Sequence, residues 1–115
     1  MLVATTENVP GYRVTKFNGA VFGVSVRSRS AFGNWLGGMK AAMGGHQGGY
    51  ATMIEDARRE AIAYMIRSAE EIGANAVVMM RFDTSEFGAG KGQAMNEVVA
   101  YGTAVFVEKS PEDPA

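Results

Sequence analysis

The chain contains no cysteine and one histidine among its 115 residues. The lack of cysteine excludes a disulfide framework, a thiolate nucleophile and a thiolate metal site. A single histidine cannot complete a closed Cys/His metal site within one chain. The formal net charge is -1, so charge gives no support for binding to nucleic acid or to an anionic membrane. We therefore expect neither as a partner.

Long apolar runs are also lacking. No segment approaches the ~20 apolar residues of a membrane-spanning helix, and the first residues, MLVATTENVPGYR, have neither the basic flank nor the apolar run of a signal peptide. Hydrophobic residues make up 47% of the chain and charged residues 20%, which is typical of a globular protein. We expect a cytoplasmic protein with a single domain over residues 1–108. The acidic, proline-containing end over residues 109–115 is predicted to be a disordered tail.

The most informative pattern runs from residue 44 to residue 78, where a glycine-rich turn precedes a long helix and a strand. Besides its main apolar stripe, the helix has a second stripe about 100° round the helix axis, formed by Ile62, Ile66 and Ala69. The helix should therefore contact two surfaces. One is its own sheet, and the other is either a shorter helix upstream or a neighbouring subunit. Gly73 is predicted to end the helix in the left-handed conformation. The first stripe follows helical spacing and consists of Met53, Ile54, Ala57, Ala61, Tyr64, Met65, Ser68 and Ile72.

The remaining segments predict strands and the shorter helix. A short strand is expected within residues 2–6, and a long one over residues 12–27 with a kink near Asn18 and Gly19. Two further strands are expected over residues 76–84 and 96–108. The last strand has one face of small residues, against which the long helix should pack: Ala100, Gly102 and Ala104. The shorter helix begins after Ser28 or Ser30 and repeats apolar residues at helical spacing: Phe32, Trp35, Leu36, Met39 and Met43.

Two glycine-rich segments are candidate ligand loops. GGHQGGY, residues 44–50, leads into the long helix, whose free N–H groups and dipole favour an anion. The residues that would bind it are Gly48, Gly49 and Tyr50, although a flexible turn between two packed helices explains the same pattern. GAGKG, residues 88–92, lacks the spacing of a phosphate loop and lies between two predicted strands. We interpret it as a loop tip.

A metal site is a third candidate. Its ligands would be His46, Asp83, Glu86 and Glu97, with methionine as an additional soft donor: Met79, Met80 or Met95. A symmetric oligomer would multiply these ligands around its axis. The alternative is that the eight methionines fill the core.

Catalytic motifs give no comparable pattern. There is no G-x-S-x-G elbow, and no acid, base and nucleophile can be assembled around His46. The sequence therefore predicts a protein that is not an enzyme.

The order of these motifs resembles one family. GGHQGGY, a helix with ARREA, IGANAVV, an aspartate-bearing strand end, a glycine-rich hairpin and YGTAV are together similar to the YbjQ-like family, which is of unknown function and is described as binding heavy metals. The resemblance implies a dodecin-like α+β subunit, in which a small antiparallel sheet packs on one long and one shorter helix. It further implies a ring-shaped homopentamer in which short extra strands join the subunits, and a divalent or heavy metal ion as ligand.

The chain departs from the family pattern at three places. His46 stands where arginine is common, Asn75 where aspartate is frequent, and Met79 and Met80 where a glycine often follows the valines. The first two changes remove charge, while His46 supplies a neutral ligand in return. Two uses of the ring follow as hypotheses. It binds a metal or small anion at copies of His46 or of the 83–97 hairpin, or it is a protein-interaction scaffold with no small ligand.

Overall fold

The computed structural model describes residues 1–28, 48–88 and 94–111. Within them, one helix packs on one face of a four-stranded sheet with the order β1-β3-β4-β2. This confirms the predicted α+β class. The shorter helix predicted after Ser28 lies outside the described residues. In chain order the elements are β1 (Leu2–Val3), β2 (Tyr12–Ser28), α1 (Gly48–Glu71), β3 (Ala76–Gly88) and β4 (Ala94–Lys109).

The sheet is mixed, so the expectation of a purely antiparallel sheet is wrong at one edge. β4 pairs antiparallel with both β2 and β3. β1, however, is parallel to β3, with Leu2 opposite Ala76 and Val3 opposite Val77. β1 and β3 are distant in sequence, and no hairpin turn joins them to impose an antiparallel direction.

β2 confirms the predicted long strand and its kink. The pairing with β4 shifts register between Val14 and Lys16 and again between Phe17 and Gly19, where Gly19 has a φ of 128°. Beyond this bulge the strand alternates regularly between the two faces of the sheet.

The helix presents a narrower stripe to the sheet than the sequence predicted. Ala69 belongs to this stripe, whereas Tyr64 and Ile72 are exposed, contrary to prediction. The difference arises because the helix backbone lies so close to β2 that the contact is confined to residues at strict four-residue spacing, three of which are alanines. The buried stripe consists of Met53, Ala57, Ala61, Met65 and Ala69.

Gly23 of β2 permits this close approach. A Cβ atom at Gly23 would overlap the backbone of Ala61 and Met65. The small residues of β4 do not all contact the helix. Ala100 and Ala104 lie in the core beneath the helix, whereas the space at Gly102 is filled by β3.

The end of the helix is as predicted. Gly73 has a φ of 83°, its N–H donates to the carbonyl of Glu70 (3.0 Å), and the N–H of Ala74 donates to the carbonyl of Ala69 (3.0 Å). This pair of bonds is the Schellman arrangement. In addition, the side-chain amide of Asn18 donates to the carbonyl of Ile72 (3.0 Å), which fixes the helix end to the bulge of β2.

The N-terminal segment forms backbone hydrogen bonds with β3 at a bulge. Met79 and Met80 together stand opposite Gly102, and Met79 has a φ of 57°. The N–H of Met80 donates to the carbonyl of Ala4, and that of Met79 to the carbonyl of Thr6, both at 3.0 Å. The segment thereby covers a second cluster on the face opposite the helix: Ala4, Val9, Ala76, Val78, Val105 and Val107.

The last strand extends slightly beyond residue 108. β4 continues to Lys109, and the N–H of Ser110 donates to the carbonyl of Gly11 (2.8 Å). Residues 112–115 of the predicted tail lie outside the described part. Among the described residues, no helix is both long and apolar enough to cross a membrane.

Candidate functional site

One side of the sheet exposes a continuous apolar surface. The helix covers the other side, and the N-terminal segment covers only the end of this side near β1. Phe17 and Phe22 are 72% and 61% exposed, which is unusual for side chains of this size in the middle of a strand. We name this surface the open face, and its exposed apolar residues are Val14, Phe17, Phe22, Val24, Val26 and Tyr101.

The open face follows from the alternation of β2. Val21, Gly23 and Ser25 point toward the helix and are buried, so Phe22 and Val24 between them must point away from it. Hydrophobic residues therefore occupy both faces of one strand. The sequence analysis predicted this strand but did not indicate which of its two faces the helix would cover.

Two edges of the sheet lack a partner strand within the described residues. One is the outer edge of β2, which over residues 20–26 contains no charged residue, no proline and no register shift. The other is the outer edge of β3 over residues 82–88, because the N-terminal segment bonds to β3 only as far as Met80. Bare edges of this kind are templates for pairing with another strand.

The β3 side of the open face is polar. Arg81 is held by the N-terminal segment, since its guanidinium donates to the carbonyls of Thr5 and Met80, both at 2.8 Å. The hydroxyl of Ser85 donates to a carboxylate oxygen of Glu97 (3.3 Å).

The predicted metal ligands are divided by the sheet. Asp83 stands opposite Val99, and Glu97 stands opposite Ser85, so Asp83 and Glu97 are diagonal neighbours on the open face. Glu86 lies on the other face of the same strand. In the described part of the chain, no group of three His, Cys, Asp or Glu residues is arranged to hold a metal ion. His46 lies outside that part.

The methionines named as additional donors are also divided. Met79 is exposed, Met80 is buried, and only the backbone of Met95 is described, as part of β4. The four-ligand metal site stays a prediction.

The predicted anion site is at the start of the helix. α1 begins at Gly48, so Gly48, Gly49 and Tyr50 form its first turn, which is where free N–H groups are found. Anion binding there stays a prediction. The GAGKG loop is described only at Gly88, the last residue of β3.

A partly buried polar cluster under the helix was not predicted. Ser25 is 1% exposed, and its hydroxyl donates to a carboxylate oxygen of Glu60 (2.7 Å). The same oxygen lies 3.4 Å from the guanidinium of Arg27. Ser25 could have been found from its place on the inward half of β2, where a hydroxyl requires a partner.

Comparison with known proteins assigns the family. The model of the YbjQ-like family, described as "Putative heavy-metal-binding", matches residues 1–108. A UPF0145 protein of Acidiphilium cryptum is 53% identical over 108 residues, covering 94% of this chain and 95% of the relative. The chain belongs to the YbjQ-like family.

Other relatives of this YbjQ-like protein show how widely the sequence pattern extends. A UPF0145 protein of Picrophilus torridus is 45% identical over 108 residues, covering 94% of this chain and 88% of the relative. A crystal structure of a DUF74-family protein of unknown function from Pediococcus pentosaceus matches with a TM-score of 0.63 at 14% identity, covering 94% of this chain and 98% of that chain. At that identity the likeness concerns the fold. These names describe uncharacterised proteins, with heavy-metal binding as the family's description.

Proposed function

We propose that this YbjQ-like protein is a non-enzymatic, cytoplasmic, self-assembling protein whose open face is buried against further copies of the chain. The observation that carries this proposal is the exposure of Phe17 and Phe22 in the middle of a long strand. The proposed assembly is a ring of five copies with a dodecin-like subunit, as the family resemblance implies.

The size of the open face supports burial. Each aromatic side chain offers about 150–250 Å² when fully covered, and three of them, with three valines, are exposed on this side of the sheet. Their combined exposed area is on the order of 500 Å², which is at the upper end for apolar patches on monomeric proteins. Burial at about 25 cal/mol per Å² would favour association by roughly 10 kcal/mol per copy before the entropy cost of association.

The position of the reactive side chains supports a role without catalysis. Ser25 and Glu60 form a close hydroxyl–carboxylate pair (2.7 Å), but Ser25 is covered by the helix. A hydroxyl in this position cannot reach a substrate, and its bond to Glu60 satisfies a buried polar group.

The assembly is tested by native mass spectrometry and light scattering of untagged protein, wild type and Phe22→Ser. We expect a pentamer for the wild type and dissociation for the variant, with helical circular dichroism retained because Phe22 contributes little to the subunit core. Tyr64→Ser is the matched control, since Tyr64 is exposed on the helix, on the opposite side of the subunit. A monomeric wild type would overturn the proposal.

Metal binding is the second candidate, favoured by the family description. Asp83 and Glu97 supply two carboxylates on one side of the sheet, and the remaining ligands would come from His46 or from another copy. Oxygen and imidazole ligands suit divalent ions better than soft thiophilic metals. Elemental analysis of protein purified without a chelator should then show a fixed stoichiometry.

The melting temperature should also rise with that ion, by an amount set by its concentration relative to Kd. Asp83→Asn should abolish the rise, whereas Glu55→Gln, on the helix, should not. If no ion is retained and no divalent ion raises the melting temperature, the scaffold role without a small ligand is favoured.

A further inference from the structure

We propose that Asn18 is a site of spontaneous deamidation, which the end of the helix restrains and whose product releases that end from the sheet. The reaction converts Asn18 to aspartate or isoaspartate, with water as the only co-reactant. It is independent of the proposed assembly, because the Asn18 side chain bonds to the helix end and does not belong to the open face.

The first argument is the residue that follows Asn18. In deamidation the backbone nitrogen of the next residue attacks the side-chain carbonyl carbon, so a side chain on that residue obstructs the attack. Asn18 is followed by Gly19, which has no Cβ. The other four asparagines of the chain are followed by larger residues: Val9 after Asn8, Trp35 after Asn34, Ala76 after Asn75 and Glu97 after Asn96.

The steps of the reaction balance without a further reagent. The Gly19 nitrogen loses its proton and bonds to Cγ of Asn18. The bond between Cγ and Nδ2 breaks, and Nδ2 leaves as ammonia with the proton that the Gly19 nitrogen gave up. Water then opens either carbonyl–nitrogen bond of the resulting succinimide ring, which gives aspartate or isoaspartate. In the isoaspartate product the main chain runs through the former side chain.

The second argument is the bulge in β2. Phe17 stands opposite Val105 and Gly19 opposite Ala104, so no residue of β4 stands opposite Asn18. In a regular antiparallel ladder, paired hydrogen bonds fix the extended backbone, and an extended backbone keeps the next nitrogen away from Cγ. A bulge leaves the extra residue unpaired. The peptide between Asn18 and Gly19 is therefore less restrained than a peptide in the regular part of the strand.

The third argument is the single hydrogen bond that holds the side chain. The amide group of Asn18 donates to the carbonyl of Ile72 (3.0 Å), whereas its Oδ1 is buried and has no hydrogen-bond partner among the described residues. Ile72 follows the last residue of α1 and is 44% exposed. Helix ends open more readily than the core, so this restraint on Cγ is intermittent.

The product cannot hold the helix end. A carboxylate has no hydrogen to donate, so the bond to the carbonyl of Ile72 is lost. The carbonyl groups at the C-terminus of a helix carry a partial negative charge, which repels the new carboxylate. Because ammonia is lost to the solution, the change runs in one direction. Molecules with a loosened helix end should therefore accumulate as the protein ages.

The proposal is tested by peptide mapping with mass spectrometry on the full-length protein, incubated at mildly alkaline pH. Methylation by a protein isoaspartate methyltransferase gives a second readout of the product. We expect Asn18 to convert first among the asparagines. Asn75 is the internal control, since both polar atoms of its side chain bond to Val107. If Asn18 stays intact after a synthetic peptide of residues 13–23 has converted, or if another asparagine converts first, the proposal is wrong.

Gly73→Ala tests whether the helix end controls the rate. Gly73 has a φ of 83°, so a Cβ strains the helix end, although the nearest atom to it is Nδ2 of Asn18 at 4.0 Å. We expect Asn18 to convert about two- to fivefold faster than in the wild type. Ala63→Gly is the matched control, because it weakens the exposed middle of the helix. Unchanged conversion in Gly73→Ala, or equal acceleration by Ala63→Gly, would overturn control by the helix end.

Unfolding in urea tests the release of the helix end. The deamidated protein carries one more negative charge and is separated by anion exchange. Its midpoint of unfolding should be lower than that of the intact protein, and Asn18→Asp should lower the midpoint as well. Asn8→Asp is the matched control, since Asn8 is exposed, and its midpoint should equal that of the wild type. An unchanged midpoint for Asn18→Asp would overturn the proposed release.

Discussion

Gly23 of β2 lies directly beneath Ala61 of α1, with the helix backbone in the space that a side chain would fill. Gly23→Ala should therefore destabilise the fold by about 1–3 kcal/mol, the usual cost of forcing extra atoms into a packed core. Urea unfolding at a fixed protein concentration, followed by circular dichroism, measures the change. An unchanged midpoint would show that the helix can move away from the sheet without loss.

Gly102→Ala is a useful comparison for the same measurement. The nearest atom to a Cβ there is Cγ1 of Val77, at 2.6 Å, and the nearest backbone atom is the carbonyl oxygen of Val78, at 3.0 Å. A side-chain methyl can rotate away, whereas a helix backbone cannot, so the loss should be smaller than for Gly23→Ala. The reverse order would contradict this account of the core.

Replacing Met79 by glycine should increase the stability of the fold. Its φ of 57° lies in the left-handed region, which costs a residue with a Cβ about 1–2 kcal/mol. Glycine removes that cost but adds freedom to the unfolded chain, so Met79→Gly should stabilise by about 0.5–1 kcal/mol. Met79→Ala is the control, because it shortens the side chain and keeps the Cβ. Equal midpoints for glycine and alanine in urea unfolding would contradict the prediction.

Asn75 fixes the turn between helix and sheet to β4. Its side-chain oxygen accepts from the N–H of Val107 (2.7 Å), and its amide donates to the carbonyl of Val107 (3.0 Å). Asn75→Ala should cost about 1–3 kcal/mol, because it leaves two buried backbone groups unpaired. Thermal unfolding compared with Asn8→Ala, at an exposed position, would check this. Equal losses would show that water replaces the amide at Val107.

The sequence was sufficient to predict the parts of the fold that depend on local chemistry. Gly73 as the helix end, the bulge near Gly19 and the strand periods depend on backbone conformation and alternation, which neighbouring residues determine. Which side of β2 the helix covers was not predictable in the same way. Apolar residues occur on both faces of β2. The helix can pack closely only on the face that contains Gly23, because any side chain at that position would clash with the helix.

The candidate site was harder to predict for the same reason. Asp83, Glu86 and Glu97 are close in sequence around one hairpin, but strand alternation places Glu86 on the opposite face from the other two. Which carboxylates of the two strands lie together depends on the pairing register of β3 with β4. That register in turn depends on the bulge at Met79. The open face likewise emerges only once the helix has been placed.

The Ser25–Glu60 pair predicts an asymmetric double-mutant cycle. Glu60→Ala removes the acceptor of a buried hydroxyl and should cost about 1–3 kcal/mol, whereas Ser25→Ala leaves a carboxylate that water can reach and should cost less. The double variant should lose less stability than the sum of the two single variants, by a coupling of about 1 kcal/mol. Glu55→Ala is the matched control on the same helix. Its pair with Arg59 is 72% and 61% exposed, so the loss should stay below about 0.5 kcal/mol. Additive losses at Ser25 and Glu60 in urea unfolding would show that the hydroxyl finds another acceptor under the helix.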